Sequence, residues 1–86
     1  MTQKLKLPIS VISSFDHRNR RAVPVKILFE GRERLVSQIG FHHTFRDGRV
    51  LYHVYSVSAG TLFFRLVLDT ETLAWNLEEI SDGESN

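Results

Sequence analysis

Hydrophobic and polar residues alternate along most of this chain, and short turn signals separate the alternating runs. The clearest two runs are 50–58 and 61–69, joined by Ala59-Gly60. Alternation with a period of two is typical of β-strands that bury one face. A two-residue connection containing Gly is typical of a tight hairpin, and such a turn fixes the strand register. The pattern therefore predicts an antiparallel hairpin in which Val57 faces Leu62 and Tyr55 faces Phe64.

Further turn signals extend this hairpin into a meander. They lie at Gly31-Arg32, Asp47-Gly48 and Thr70-Glu71, each between runs with high strand propensity. Gly40 interrupts a strand-like run, and a glycine in that position often marks a bulge or a sharp bend. We therefore predict an all-β fold, a strongly bent antiparallel meander of five or six strands that forms a small barrel or half-barrel.

The N-terminal residues alternate less regularly than the meander. Pro8 lacks the N–H that a central strand needs, so this segment is expected to form at most an edge strand or an extended arm. A basic loop follows at 17–21, and a short helix within 12–22 is an alternative. The 86 residues suffice for one domain with one core. The expected organisation is an N-terminal arm and basic loop over 1–22, a β-meander domain over 23–80 and a polar tail over 81–86.

The predicted registers divide the strand residues between two faces of one sheet. The first face is almost wholly apolar and is expected to be the core; it comprises Leu51, His53, Tyr55, Val57, Leu62, Phe64, Leu66, Leu68, Leu73, Trp75 and Leu77. The second face comprises Phe41, His43, Phe45, Val50, Tyr52, Val54, Phe63, Arg65 and Val67. An apolar patch of this size is rarely left in water. We therefore expect the N-terminal arm, barrel closure, a second copy or a ligand to cover it.

Composition narrows the classes of function. The chain has no Cys, which removes disulfides, thiolate nucleophiles and Cys-ligated zinc. No segment resembles a signal peptide or a membrane span, so a cytoplasmic protein without membrane contact is expected. The net charge of +1 conceals an asymmetry: residues 1–68 carry +7 and residues 69–86 carry −6. Such a division either steers an anionic partner to one side or reflects two solvated segments that attract each other.

Candidate catalytic groups are few. The sequence has no nucleophile elbow, no phosphate-binding Gly-rich loop and no inward-facing pair of carboxylates. His42 and His53 are predicted to lie opposite each other, but zinc sites normally need three or four protein ligands. Ordinary sheet histidines with hydrogen-bonded rings are the favoured interpretation, with no metal and no cofactor. We therefore expect a protein that is not an enzyme.

The second face and the basic loop hold the candidate binding residues, which are Phe41, His43, Phe45, Tyr52, Phe63 and Arg65 on the face and Arg18, Arg20 and Arg21 in the loop. The leading hypothesis is a binding or adaptor module that contacts a macromolecular partner, protein or nucleic acid, through this aromatic, Arg-bearing face. One alternative is a small β-barrel that binds nucleic acid, because cationic grooves with aromatic platforms bind single strands. Another is a homodimer that buries the second face.

A further set of residues resembles a known family. The set is Gly31-Arg32, Val36, Ile39, Tyr52, Val54, Gly60, Leu62, Phe63, Leu66, Trp75, Leu77, Ile80 and Asp82. This order resembles a family of short uncharacterised bacterial all-β domains often encoded beside translesion DNA polymerases, and it covers residues 30 to 82. The resemblance implies a DNA-repair context. The chain departs from that family at Phe41-His42-His43, where Trp and Arg would be expected.

Overall fold

The computed structural model describes residues 2–18 and 20–83, and the described residues form strands and turns without a helix. The strands are β1 (Thr2–Pro8), β2 (Ser10–Asp16), β3 (Arg21–Phe29), β4 (Arg32–Leu35), β5 (Gln38–Asp47), β6 (Val50–Ala59), β7 (Leu62–Asp69) and β8 (Trp75–Ser81). The predicted all-β class is confirmed, and the alternative of a helix within 12–22 is wrong. No helix that could cross a membrane occurs in the described part of the chain.

The strands form two antiparallel sheets. The larger sheet has five strands in the order β1-β8-β7-β6-β5, and the smaller has three in the order β2-β3-β4. The chain leaves the smaller sheet at Val36, whose N–H bonds to the carbonyl of Val25, and enters the larger at Ser37, whose N–H bonds to that of Ser58. Each sheet keeps two open edges, so the described residues do not close into a barrel. The single bent meander predicted from sequence is thus divided between two sheets.

The core lies between these two sheets. The larger sheet contributes the buried residues Tyr55, Val57, Ala59, Phe64, Leu66, Leu68, Trp75 and Leu77. The smaller sheet contributes Ile27, which is fully buried, and Phe29, whose ring meets that of Phe64 edge to face at 5.5 Å. The Tyr55 hydroxyl donates a hydrogen bond to the carbonyl oxygen of Ala22, which joins the sheets directly. The prediction that the first face forms the core is confirmed for most of its members.

The hairpin registers differ from prediction by two residues. Val57 pairs with Phe64 rather than Leu62, and His42 pairs with Tyr55 rather than His53. The turns are Gly48-Arg49 and Gly60-Thr61, in which Gly occupies the first loop position with a positive φ. A two-residue shift leaves every side chain on its predicted face, because strand side chains alternate with period two. The side chains of these hairpins therefore lie on the predicted faces, although the predicted turn residues are wrong.

The connection from β7 to β8 is longer than predicted. The Asp69 carboxylate accepts hydrogen bonds from the N–H groups of Glu71 and Thr72, which caps a wide turn. Leu73 lies in this turn with a φ of 63° and is 72% exposed. Its assignment to the core is wrong, because the strand begins only at Trp75.

Bulges occur in both predicted and unpredicted places. The register of β5 against β6 shifts between Ile39 and Phe41, so Gly40 marks a bulge as predicted. The register of β7 against β8 shifts between Arg65 and Leu66, opposite Glu78, and this bulge was not predicted. The N-terminal strand β1 lies at the edge of the larger sheet and β2 at the edge of the smaller one. Neither strand covers the second face.

Candidate functional site: the open face of the larger sheet

We call the side of the larger sheet that faces away from β2, β3 and β4 the open face. Its aromatic and valine side chains are Phe41, His43 and Phe45 on β5, Tyr52 and Val54 on β6, and Phe63 and Val67 on β7. The six predicted face residues therefore lie on one surface, with Arg65 next to Phe63 along β7. Val54 and Val67 are a cross-strand pair at the centre of this surface, and both are buried.

Three phenylalanines on this face are exposed to solvent. Phe41 is 59% exposed, Phe63 47% and Phe45 43%. Phe45 stacks on Tyr52 with ring centroids 4.9 Å apart, and Phe41 contacts His43 at 5.2 Å. His43 lies opposite Val54 in the ladder between β5 and β6, and Phe45 lies opposite Tyr52. We call these aromatic side chains of the open face, on β5, β6 and β7, the aromatic band.

A band of mixed charge borders the aromatic band. Arg65 on β7 lies directly opposite Glu79 on β8 in the sheet register. Both residues line a shallow depression together with Lys4 and Glu78. The bulge in β8 is the reason that Glu78 and Glu79 lie on the same side, because it places one extra residue opposite β7. Regular alternation along a strand would instead place these neighbouring glutamates on opposite faces. Sequence alternation alone gives no signal for such a bulge.

Acidic side chains are the majority of the charged groups at the end of the open face beside the Gly48-Arg49 turn. Lys6, Phe45, Asp47, Tyr52 and Asp69 line one depression there. Desolvation raises the pKa of the Tyr52 phenol, and the carboxylates of Asp69 and Asp47 raise it further. Carboxylates outnumber the single lysine among the residues that line this depression, which disfavours a phosphate-bearing ligand.

A groove of about 320 Å³ lies at the opposite end of the face. Its floor holds small residues, among them Gly40 and Ser56, and its wall holds Phe63 and Arg65. A Cβ added to Gly83 would lie 2.8 Å from Cε2 of Phe63, so the ring lies directly on the glycine backbone. Gly83 also has a φ of 81°, a conformation that other residues rarely adopt. The chain after β8 therefore contacts one edge of the Phe63 ring.

The predicted arginine cluster does not join the open face. Arg18 and Arg20 are exposed in the turn between β2 and β3, and Arg21 begins β3 in the smaller sheet. Asn19 of the predicted basic loop lies outside the described residues. The Arg21 guanidinium instead contacts the core side of the larger sheet, where Nη1 lies 3.3 Å from Nδ1 of His42. The nine candidate binding residues are thus divided between two sites.

Arg21, His42 and His53 form a hydrogen-bonded chain at the junction of the two sheets. Nε2 of His42 lies 2.8 Å from Nδ1 of His53, and the two rings are nearly parallel. Because a guanidinium can only donate, Nδ1 of His42 must accept and its Nε2 must donate to His53. Desolvation lowers the pKa of both imidazoles, and the charge of Arg21 lowers them further. Both effects favour the neutral form of the two rings.

Among the described residues, no third metal ligand accompanies this histidine pair. Thr44, not His42, lies directly opposite His53, so the predicted direct pairing is wrong and the two rings meet diagonally. Within residues 2–18 and 20–83, no group of three or more His, Cys, Asp or Glu side chains is arranged to hold a metal. Comparisons with protein-family models, with curated proteins and with solved structures found no match.

Proposed function

We propose that this chain is a non-enzymatic protein-interaction module that binds its partner through the open face. The observation that carries the proposal is the exposure of Phe41, Phe45 and Phe63 on one side of a sheet whose other side is a packed core. Interfaces are enriched in aromatic residues and Arg at their centre and have a polar rim. The aromatic band, bordered by Arg65 and the charged band, has that organisation.

The charge distribution favours a protein over a nucleic acid. Nucleic-acid binding requires several cations that reach one phosphate backbone. On the open face, Lys4, Lys6 and Arg65 are interspersed with Asp47, Asp69, Glu78 and Glu79. The three arginines of the predicted cluster lie elsewhere. A partner with apolar side chains at its centre and both charge signs at its rim fits this surface better.

Affinity capture with matched variants tests the proposal. The tagged chain is incubated with extract of its own cells, beside a face variant (Phe63→Ser with Arg65→Ser) and a control variant (Phe15→Ser with Leu73→Ser). Phe15 and Leu73 are 67% and 72% exposed and lie in β2 and in the turn before β8. The wild type and the control should retain the same proteins, and the face variant should lose them. Retention by all three would contradict the proposal.

A titration with nucleic acid separates the main alternative. Labelled single-stranded and duplex oligonucleotides should show no anisotropy change at about 50 mM salt, where electrostatic binding is strong. Binding that weakens with salt and is reduced by Arg65→Ala would replace the protein-interaction proposal with a nucleic-acid module.

A further inference from the structure

We propose that two copies of this chain pair edge to edge along β5, in antiparallel orientation about a two-fold axis at His43. The two larger sheets would then form one continuous sheet, and the two open faces would join into one surface. The proposal goes beyond the proposed function, because it concerns the edge of the sheet and its occupant is a second copy. Among soluble homo-oligomers, two-fold symmetric dimers with isologous interfaces are the commonest.

Among the described edge strands, β5 offers the longest uninterrupted stretch. Seven residues follow its bulge at Gly40, from Phe41 to Asp47, whereas the edge strand β4 has four residues in all. The edge strand β1 contains Pro8, two lysines and a register shift, and β2 also contains a shift. From Phe41 to Asp47, β5 pairs with β6 without interruption and contains neither Pro nor Lys. Proteins normally guard an exposed edge with such features, because its free N–H and C=O groups attract another strand.

The hairpin turn determines which backbone groups of β5 are free. Asp47 and Val50 flank the two-residue turn and therefore form a hydrogen-bonded pair. Such pairs alternate along an antiparallel ladder. Phe41, His43 and Phe45 consequently bond to β6, while the N–H and C=O groups of His42, Thr44 and Arg46 point away from it. These outward groups are the ladder that a second copy would complete.

Side-chain complementarity selects the register. An axis at His43 places Phe41 opposite Phe45 of the partner subunit and Arg46 opposite Gly40 of the partner subunit. An axis at Thr44 would instead place Phe41 opposite Asp47 of the partner subunit. It would also place Arg46 opposite His42 of the partner subunit, although the His42 ring already contacts Arg21 within its own chain. Aromatic cross-strand pairs stabilise a sheet, whereas the axis at Thr44 leaves the Phe41 ring opposite a carboxylate. The axis at His43 is therefore favoured.

Single-cysteine cross-linking tests the axis directly, because the chain has no native Cys. At the axis, the two copies of residue 43 form a non-hydrogen-bonded pair with Cα atoms about 4.5 Å apart, within disulfide range. His43→Cys should therefore give a disulfide-linked dimer under mild oxidation, while Phe15→Cys, on the other sheet, should stay monomeric. If Thr44→Cys cross-links as readily as His43→Cys, the proposed axis is wrong. Failure of both variants would overturn the edge pairing.

A proline substitution tests the edge without cross-linking. Thr44→Pro removes an N–H that faces away from β6, so it blocks the edge while sparing the fold. Thr44→Val keeps that N–H and is the matched control. Sedimentation should show wild type and Thr44→Val self-associating, with the Kd of Thr44→Pro raised at least about tenfold. Equal association by a folded Thr44→Pro, or a concentration-independent monomer in all three, would overturn the proposal. Neither outcome depends on a partner of the open face.

Discussion

The two faces of the larger sheet differ in their cover far more than in their composition. Phe63 and Phe64 are neighbours in β7, yet Phe63 is 47% exposed and Phe64 is 2% exposed. Tyr52 and Tyr55 of β6 likewise lie on opposite faces, and only Tyr55 is enclosed by the smaller sheet. Strand alternation decides which residues share a face, whereas the placement of β2, β3 and β4 decides which face becomes the core. An aromatic face without such a cover is available for binding.

The largest expected difference concerns stability. Phe64→Ala should lower the free energy of unfolding by about 3–5 kcal/mol, because it leaves a cavity between the sheets. Phe63→Ala should lower it by less than about 1 kcal/mol, because surface substitutions seldom do more. Urea denaturation followed by the fluorescence of Trp75, the single tryptophan, measures both. Equal losses would mean that the open face is covered as well.

A smaller difference is expected for the two tyrosine hydroxyls. Tyr55→Phe leaves the Ala22 carbonyl without its donor at the sheet junction and should cost about 1–3 kcal/mol. Tyr52→Phe should change the free energy of unfolding by less than about 0.5 kcal/mol, because its hydroxyl is at the surface. The same denaturation experiment compares them, and a larger effect at Tyr52 would contradict the assignment of the faces.

The histidine chain gives the core side a pH dependence. The pKa values of His42 and His53 are lowered in the folded protein, while in the unfolded chain they return to about 6.5. Below about pH 6.5 the unfolded state therefore binds more protons, and stability declines as the pH falls towards the folded-state pKa values. The urea midpoint should be lower at about pH 5.5 than at about pH 7.5.

A double variant assigns this decline to the two rings. His42→Gln with His53→Gln should show a smaller loss over the same pH interval, because neither position then titrates. An identical loss in the wild type and the double variant would place the pH dependence elsewhere.

The sequence predicted the faces better than the registers. A turn such as Asp47-Gly48-Arg49 admits Gly at either loop position, and the two choices shift the register by two residues without changing any face. The structure uses Gly first at Gly48 and Gly60, but second at Glu30-Gly31, where both residues have positive φ. Local sequence does not distinguish these choices, because both satisfy the same alternation.

Features that depend on distant contacts were not predictable. The transfer of the chain between sheets at Val36 and Ser37 rests on backbone bonds to Val25 and Ser58. The bulge at Glu78 brings both neighbouring glutamates to the open face, against simple alternation. The aromatic residues of the candidate site were identified correctly as one surface, but Arg21 was not separated from them. Its contact with His42 joins two sheets that the sequence had presented as one.

Hydroxyl-radical footprinting of the wild-type chain tests directly whether the smaller sheet covers one face of the larger sheet and leaves the other face open. Oxidation of Phe63 and Phe64, resolved by fragment mass spectrometry at low micromolar protein, compares the faces within one strand. Phe63 should be modified rapidly and Phe64 should be protected, and urea should remove the protection of Phe64. Equal protection of both residues in the native protein would contradict it.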